Sequence, residues 1–417
     1  MTADQAAQEV LLSDPGLMAD PYGGFGRIRE ETRIARGRLW DGGPAWIITR
    51  HEDVGAVLQD RRFVSNTGSL PGRTDAHAEF LRRTVGISAE LVPYLTGNLV
   101  YVDPPDHTRL RKLVSRAFTV RRIGALRPRV EAAAALLLDG LPQHAEDGVV
   151  DLIEHFALPL PIIVICDLLG VPEPDRPRWH GWSREFTSAP PHRLNVILAE
   201  MNEHIRAMIA RRRSAPGDDL VTALLQAHDE GGRLSDAEMV TMVLTLMIAG
   251  HVTTAHMLAN GILALLTHPE QLAALRADPG LMPAAVQELL RWSSPVVIAM
   301  PRYATEDVTV GGTLIRRGER VQLVLGSANH DPRRFPHGDR LNVTCPHDPS
   351  AHLAYARGTH YCLGAALANQ EAEVTFRAVF DRYPDLALAV PADRLERSTI
   401  PITNQFVRLP VTLGAPS

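Results

Sequence analysis

Tyr355 to Gly364 reads YARGTHYCLG and runs directly into AALANQEAEV, a stretch with helical periodicity. The unpaired N–H groups and positive dipole at the start of such a helix favour a thiolate, so Cys362, just ahead of it, stands where a soft metal can be held. Gly358 and Gly364 carry no Cβ and let the backbone turn tightly and approach a flat ligand closely. Two other readings compete for these residues. A cysteine outside a disulfide is most often a small buried hydrophobe. Cys345, His347, His352, His360 and Cys362 also lie close enough in sequence to supply zinc ligands, although they lack the paired C-x2-C or H-x3-H knuckles that set two ligands on one side of a metal.

Upstream, the clearest element starts at Ser235. Ser235 and Glu238 form an S-x-x-E capping box, and apolar residues follow at Met239, Val243, Leu246, Met247 and Ile248 towards Leu266. This predicts one long helix, too apolar for a surface, that crosses the middle of the molecule. Further helices are predicted over 108–117, 130–141, 194–212, 283–291 and 363–383. Strands are predicted over 45–49, 308–310, 320–325 and 406–413, where β-branched residues alternate near glycine and proline. The stretches 65–101 and 188–192 carry turn residues and read as loops. The fold class is mainly α.

A chain of 417 residues allows two to four domains at about 100–200 residues each. With 43 basic and 48 acidic residues, the net charge of −5 argues against binding nucleic acid through the overall field. The three cysteines do not suggest a disulfide framework and fit a reducing compartment. The opening MTADQAAQEV has neither a basic flank nor an apolar run, so the expectation is a soluble cytoplasmic protein with no membrane partner. Residues 158–171 are strongly apolar but interrupted by Pro159, Pro161 and Asp167, which reads as a core element.

The cysteine segment resembles the haem-binding loop of the cytochromes P450, F-x-x-G-x-[HR]-x-C-x-G, matched here by Tyr355, Gly358, His360, Cys362 and Gly364. Tyrosine replaces the usual phenylalanine and keeps an aromatic wall beside the sulfur. Three further segments resemble the same family in order. Glu288 and Arg291 match its E-x-x-R pair, with Arg340 the candidate third member of a structural brace. His107, Arg111, Arg302 and His360 are similar to the donors that bind the haem propionates. Ala249 to Thr254, AGHVTT, resembles the oxygen-binding signature A-G-x-[DE]-T-T, in which Ala249 and Gly250 leave room for dioxygen and Thr253 relays a proton. Val252 stands where that signature has an acid, and a valine carries no proton. Three substitutes follow, water held by Thr253, assistance from His251 or Thr254, or a polar group of the substrate; water or substrate is favoured, because His251 projects elsewhere on the helix.

The resemblance covers nearly the whole chain and overrules the multi-domain prior. It implies a single P450 domain over 1–417, with a small β-rich lobe and the long helix crossing the haem. It implies haem b with Cys362 as axial ligand, and a monooxygenase that hydroxylates or epoxidises a hydrophobic specialised metabolite such as a polyketide or modified peptide, consuming O2. Electrons would come from NAD(P)H through a ferredoxin reductase and a ferredoxin, docking near Arg111, Lys112, Arg116, Arg121 and Arg122. By family position, Thr245, Ile248, Ala249, Val296, Val297, Ile298, Ile402, Thr403 and the segments 65–101 and 188–196 contact the substrate. Phenol or C–N coupling without oxygen insertion, and a non-catalytic haem or zinc protein, are the alternatives.

Overall fold

The computed structural model describes residues 9–186, 189–228, 232–344, 348, 351–398 and 403–414, so Cys345, His347 and Ile402 lie outside the described residues. The chain forms two compact units that interleave in sequence: Met1–Ser65, Asn260–Cys362 and Ala392–Val407 make one, and Asn66–Ala259, Leu363–Pro391 and Arg408–Ser417 the other.

The first unit is built on a six-stranded mixed sheet, ordered Val10–Leu11, Ile34–Arg38, Pro44–Ile48, Arg320–Leu323, Arg302–Ala304, Phe63–Val64. The two-residue period sorts its side chains. Ile34 and Ile48 lie opposite one another and join Val54, Val57, Val321 and Leu323 in one apolar cluster, while the next pair, Ala35 and Ile47, joins Leu12, Phe25 and Val297 in another. The predicted strand over 320–325 ends at Leu323, because Leu325 opens the short helix Leu325–Asn329.

The second unit is mainly helical, with Asp106–Ala117, Val120–Gly140, Pro159–Leu169, Arg176–Phe186, Pro191–Ser214 and Ala365–Arg382. The predicted terminal strand narrows to Pro410–Thr412, which pairs antiparallel with both Ala387–Leu388 and Val149–Asp151. The Val120–Gly140 helix begins ten residues earlier than its apolar period suggests. Pro128 sits inside it and forfeits one backbone bond, yet Ile123, Leu126, Val130, Ala133, Ala134 and Leu138 are all buried, and Thr119 caps the start. The expected loop over 65–101 contains the short helices Ala76–Phe80 and Val92–Thr96; Asp75 caps the first by accepting from the N–H groups of His77 and Ala78. The first runs on into a π-helical segment over Leu81–Val85, and with no residue buried in either part no apolar period marks it.

The long helix spans Asp236–Thr267, 32 residues, or about 48 Å at 1.5 Å per residue. Its capping box forms as predicted: Ser235 N–H donates to Glu238 Oε2 (2.8 Å) and Glu238 N–H to Ser235 Oγ (3.3 Å). At the other end Pro269 follows His268, whose Nδ1 lies 2.9 Å from the Ala264 carbonyl. By length and composition this helix is able to cross a bilayer, but most of its apolar window is buried within the molecule.

Candidate active site

In the first unit, the cysteine loop is held by its own backbone. Cys362 N–H donates to the Tyr355 carbonyl (3.0 Å), folding the segment back on itself and leaving the cysteine exposed beside Tyr361. The Tyr355 and Tyr361 rings meet edge to face at 6.3 Å. Gly358 has φ +69°, and a Cβ there would lie 2.6 Å from the Leu58 carbonyl oxygen, so this turn demands glycine. Gly364 does not: it precedes the Ala365–Arg382 helix with φ −83° and ψ 2°, open to any residue.

His360 is half-buried, with Nε2 3.2 Å from Ser65 Oγ. Arg302 is 7% exposed on its strand, its Nη1 3.3 Å from the carbonyls of both Met300 and Pro301. In the second unit, His107 and Arg111 share a face of the Asp106–Ala117 helix, four residues apart; His107 is buried and Arg111 half-buried.

The middle of the long helix has an unusual accessible strip. Between Glu238 and Leu266, Ala249 is the one exposed residue, and Thr245, Ile248, Val252 and Thr253 around it are half-buried. The spacings from Thr245 to Ile248, Ala249 and Val252 define one helical face. Thr253 Oγ1 donates to the Ala249 carbonyl (2.7 Å) and Thr254 Oγ1 to that of Gly250 (3.0 Å), leaving the lone pairs of Thr253 to accept. His251 turns away from this strip: it is buried, with Nδ1 2.6 Å from Ser183 Oγ and Nε2 3.2 Å from the Leu158 carbonyl. Burial brings its pKa down to about 4, so it carries no charge at neutral pH.

The family model described as Cytochrome P450 matches residues 191–385. Cytochrome P450 107B1 of Saccharopolyspora erythraea is 41% identical, over 98% of each chain. The monooxygenase PikC of Streptomyces venezuelae is also 41% identical, over 94% of this chain and 91% of its own. The solved structure of the bacillaene polyketide synthase P450 PksS of Bacillus subtilis superimposes with a TM-score of 0.86 at 36% identity, covering 97% of this chain and 99% of that one.

The chain belongs to the cytochrome P450 family. This P450 is a bacterial-type, mainly α monooxygenase that carries haem b on a cysteine thiolate and receives electrons from redox partners. Its residues fit that cofactor: an accessible cysteine on a backbone-locked loop, a helical strip uncovered at an alanine, and buried or half-buried cationic and imidazole donors.

Several expectations are corrected. The zinc reading loses His352, which is buried and engaged, with Nε2 3.1 Å from Gln287 Oε1 and Nδ1 accepting from Ala354 N–H; Cys345 and His347 lie outside the described residues. Arg340 joins the brace through its main chain: its carbonyl accepts from Arg291 Nη2 at 3.0 Å, while its side chain is exposed. Val297 and Ile298 belong to the apolar core, at 2% and 0% exposure, leaving Val296 as the member of that trio with accessible surface. Thr403, also half-buried, pairs with Val296 in an antiparallel bridge, so these two substrate candidates do come together. Sequence reasoning missed Ser183 and Asn404, polar residues without a local motif whose partners are remote in the chain, and gave Ser65 only as the start of a substrate loop, not as the partner of His360.

Proposed function

We propose that this P450 inserts one oxygen atom, by hydroxylation or epoxidation, into a hydrophobic specialised metabolite of the polyketide or modified-peptide kind. The observation that carries this reading is the accessible strip around Ala249 on an otherwise buried helix. Its apolar side chains suit an apolar substrate, and the small Ala249 and Gly250 suit a diatomic ligand. The functions of relatives support the substrate class: one, from Micromonospora griseorubida, is a mycinamicin IV hydroxylase/epoxidase.

Within this reading, bound haem b supplies oxygen activation at a thiolate-ligated iron, electron donation from sulfur favouring O–O cleavage. Cys362 is the ligand. His107, Arg111, Arg302 and His360 donate to the propionates, neutralising two carboxylates. Thr253 holds a proton donor at Oγ1 by accepting from it, since its own hydrogen points to Ala249. Val252 holds no proton, so water ordered by Thr253 or a polar substrate group completes the relay. Val296 and Thr403 form a wall against the substrate.

Electrons for a bound haem would come from NAD(P)H through a ferredoxin reductase and an acidic ferredoxin. Lys112, Arg116 and Arg121 are exposed and supply complementary charge, whereas Arg122 is turned towards Asp218 at 3.6 Å. The whole chain acts as one P450 domain, which the interleaving of its two units supports. A cytoplasmic location accords with the cysteine content and with the burial of the long helix.

Carbon monoxide added to the reduced protein tests the ligand: a red-shifted Soret band is expected, and is lost in Cys362→Ala. A band at the position of a histidine-ligated haem overturns the assignment. Val252 keeps a second reading in view, coupling without oxygen insertion. Turnover under isotopically labelled dioxygen separates the two, since coupling leaves the product unlabelled.

A further inference from the structure

Asn404 is 2% exposed and uses every polar group it has. Its N–H donates to the Pro295 carbonyl (2.9 Å) and its carbonyl accepts from Asn260 Nδ2 (2.9 Å). Its Nδ2 donates to Tyr22 Oη (3.1 Å) and to Ser293 Oγ (3.0 Å), and its Oδ1 accepts from Arg397. Burial pushes the Tyr22 hydroxyl up to about 12, so that group stays protonated and passes its hydrogen to the Ser294 carbonyl at 3.4 Å. Arg397 is fixed in turn, its guanidinium lying 4.6 Å over the Phe406 ring.

These partners come from four separate stretches of the first unit: the Pro21–Glu31 helix, the end of the long helix, the segment after the Met282–Trp292 helix, and the C-terminal segment. The bond from Asn404 N–H to Pro295 lies immediately beside the bridge that pairs Val296 with Thr403. Asn404 therefore ties the segment carrying Thr403 to the one carrying Val296 twice, through its main-chain N–H at Pro295 and through its side-chain amide at Ser293.

We infer that Asn404 is a positioning residue that fixes the separation of Val296 and Thr403 and thereby sets which substrates this P450 accepts. The inference rests on the reading that Val296 and Thr403 contact the substrate. Asn404 touches neither cofactor nor substrate; it acts through the two residues it clamps. An apolar wall discriminates by fit, and an error of about one methylene changes affinity roughly tenfold or more.

Iron-coordinating azoles test this on the haem-loaded protein without knowledge of the natural substrate. Imidazole is small enough to report the iron alone, and 4-phenylimidazole adds a ring that must fit the walls. Dissociation constants for both, read from the Soret shift, are compared in wild type, Asn404→Asp, Asn404→Ala and Val296→Ala, with the ferrous carbon monoxide band as the check on fold and ligand. Asn404→Asp keeps shape and the Arg397 contact while losing donation to Tyr22 and Ser293, so it carries the test if the alanine variant does not fold.

The expected result is an imidazole constant within about twofold of wild type and a 4-phenylimidazole constant changed by about tenfold in Asn404→Asp. A merely structural role would lower the carbon monoxide band and leave the ratio of the two constants alone. If Val296→Ala moves that ratio and Asn404→Asp does not, the positioning role is wrong. If neither moves it, the assignment of the wall itself is wrong.

Discussion

His251 and Ser183 are joined across two helices of the second unit, Nδ1 to Oγ at 2.6 Å, and the other imidazole nitrogen decides the direction of that bond. Nε2 faces the Leu158 carbonyl at 3.2 Å, which only accepts, so Nε2 bears the hydrogen and Nδ1 accepts from the Ser183 hydroxyl. Protonation would turn Ser183 from donor to acceptor at Nδ1, which its hydroxyl allows; what opposes it is the burial of a charged ring.

Acid should therefore unfold this P450 in a defined window. The folded pKa of His251 is depressed from 6.5 to about 4, so its contribution is complete above 6.5 and is lost as the pH falls towards 4. His256, His330 and His352 are lowered to about 4 in the same way, by burial. Each should cost roughly 1.4 kcal/mol per pH unit within that window. Urea melts at a series of pH values should show this slope, reduced in His251→Gln; an unchanged slope counts against the assignment.

Arg291 and Arg340 should respond to mutation very differently. Arg291 makes two bonds to Glu288, at 2.7 and 2.8 Å, and three to the carbonyls of Asn329, Gly338 and Arg340. Both members of the ion pair are buried, so Arg291→Ala should cost about 3–5 kcal/mol. Arg340→Ala should stay within about 0.5 kcal/mol, since it keeps the carbonyl that is used. Chemical denaturation of the two variants gives the comparison.

Gly358→Ala introduces a Cβ 2.6 Å from the Leu58 oxygen at a positive φ. A loss of about 1–3 kcal/mol is expected, with a lower fraction of protein retaining haem after purification. The ratio of Soret to protein absorbance reads the second effect.

Glu371 is 1% exposed, and its Oε2 has no hydrogen-bond partner among the described residues. Burial pushes its carboxyl from 4.5 up to about 8, so it is mostly protonated at pH 7. A raised carboxyl pKa gives stability that is whole below 4.5 and lost as the pH rises towards 8. Glu371→Gln should remove that decline and gain up to about 2 kcal/mol at pH 8, measured by urea melts across the same range.

Thr253→Ala should keep the thiolate–haem band and lower product formed per NAD(P)H by roughly tenfold, with peroxide rising to match. Unchanged product yield would show that the hydroxyl holds no proton needed for turnover.

Much of this was legible in the residues themselves. The capping box at Ser235 and Glu238, the apolar run to the end of the long helix, the E-x-x-R pair and the glycine turn before Cys362 are local patterns, and local backbone physics reads them directly. The helix start at Val120 was obscured for the same reason: Pro128 is a local stop signal, and only burial of the face around it overrode that signal.

What the sequence alone determined is therefore the family, the ligating cysteine candidate and the elements that carry it. Only the tertiary structure decided that Arg340 serves through its carbonyl, that Val297 and Ile298 face the core rather than a substrate, and that the partner of His251 is Ser183. Asn404 is the clearest instance: its side-chain and carbonyl partners Tyr22, Asn260 and Ser293 lie 382, 144 and 111 residues away. Hydrogen bonds and apolar contacts act over a few ångströms in space whatever the separation along the chain, and a linear pattern reports only neighbours within about a helical turn or a strand pair.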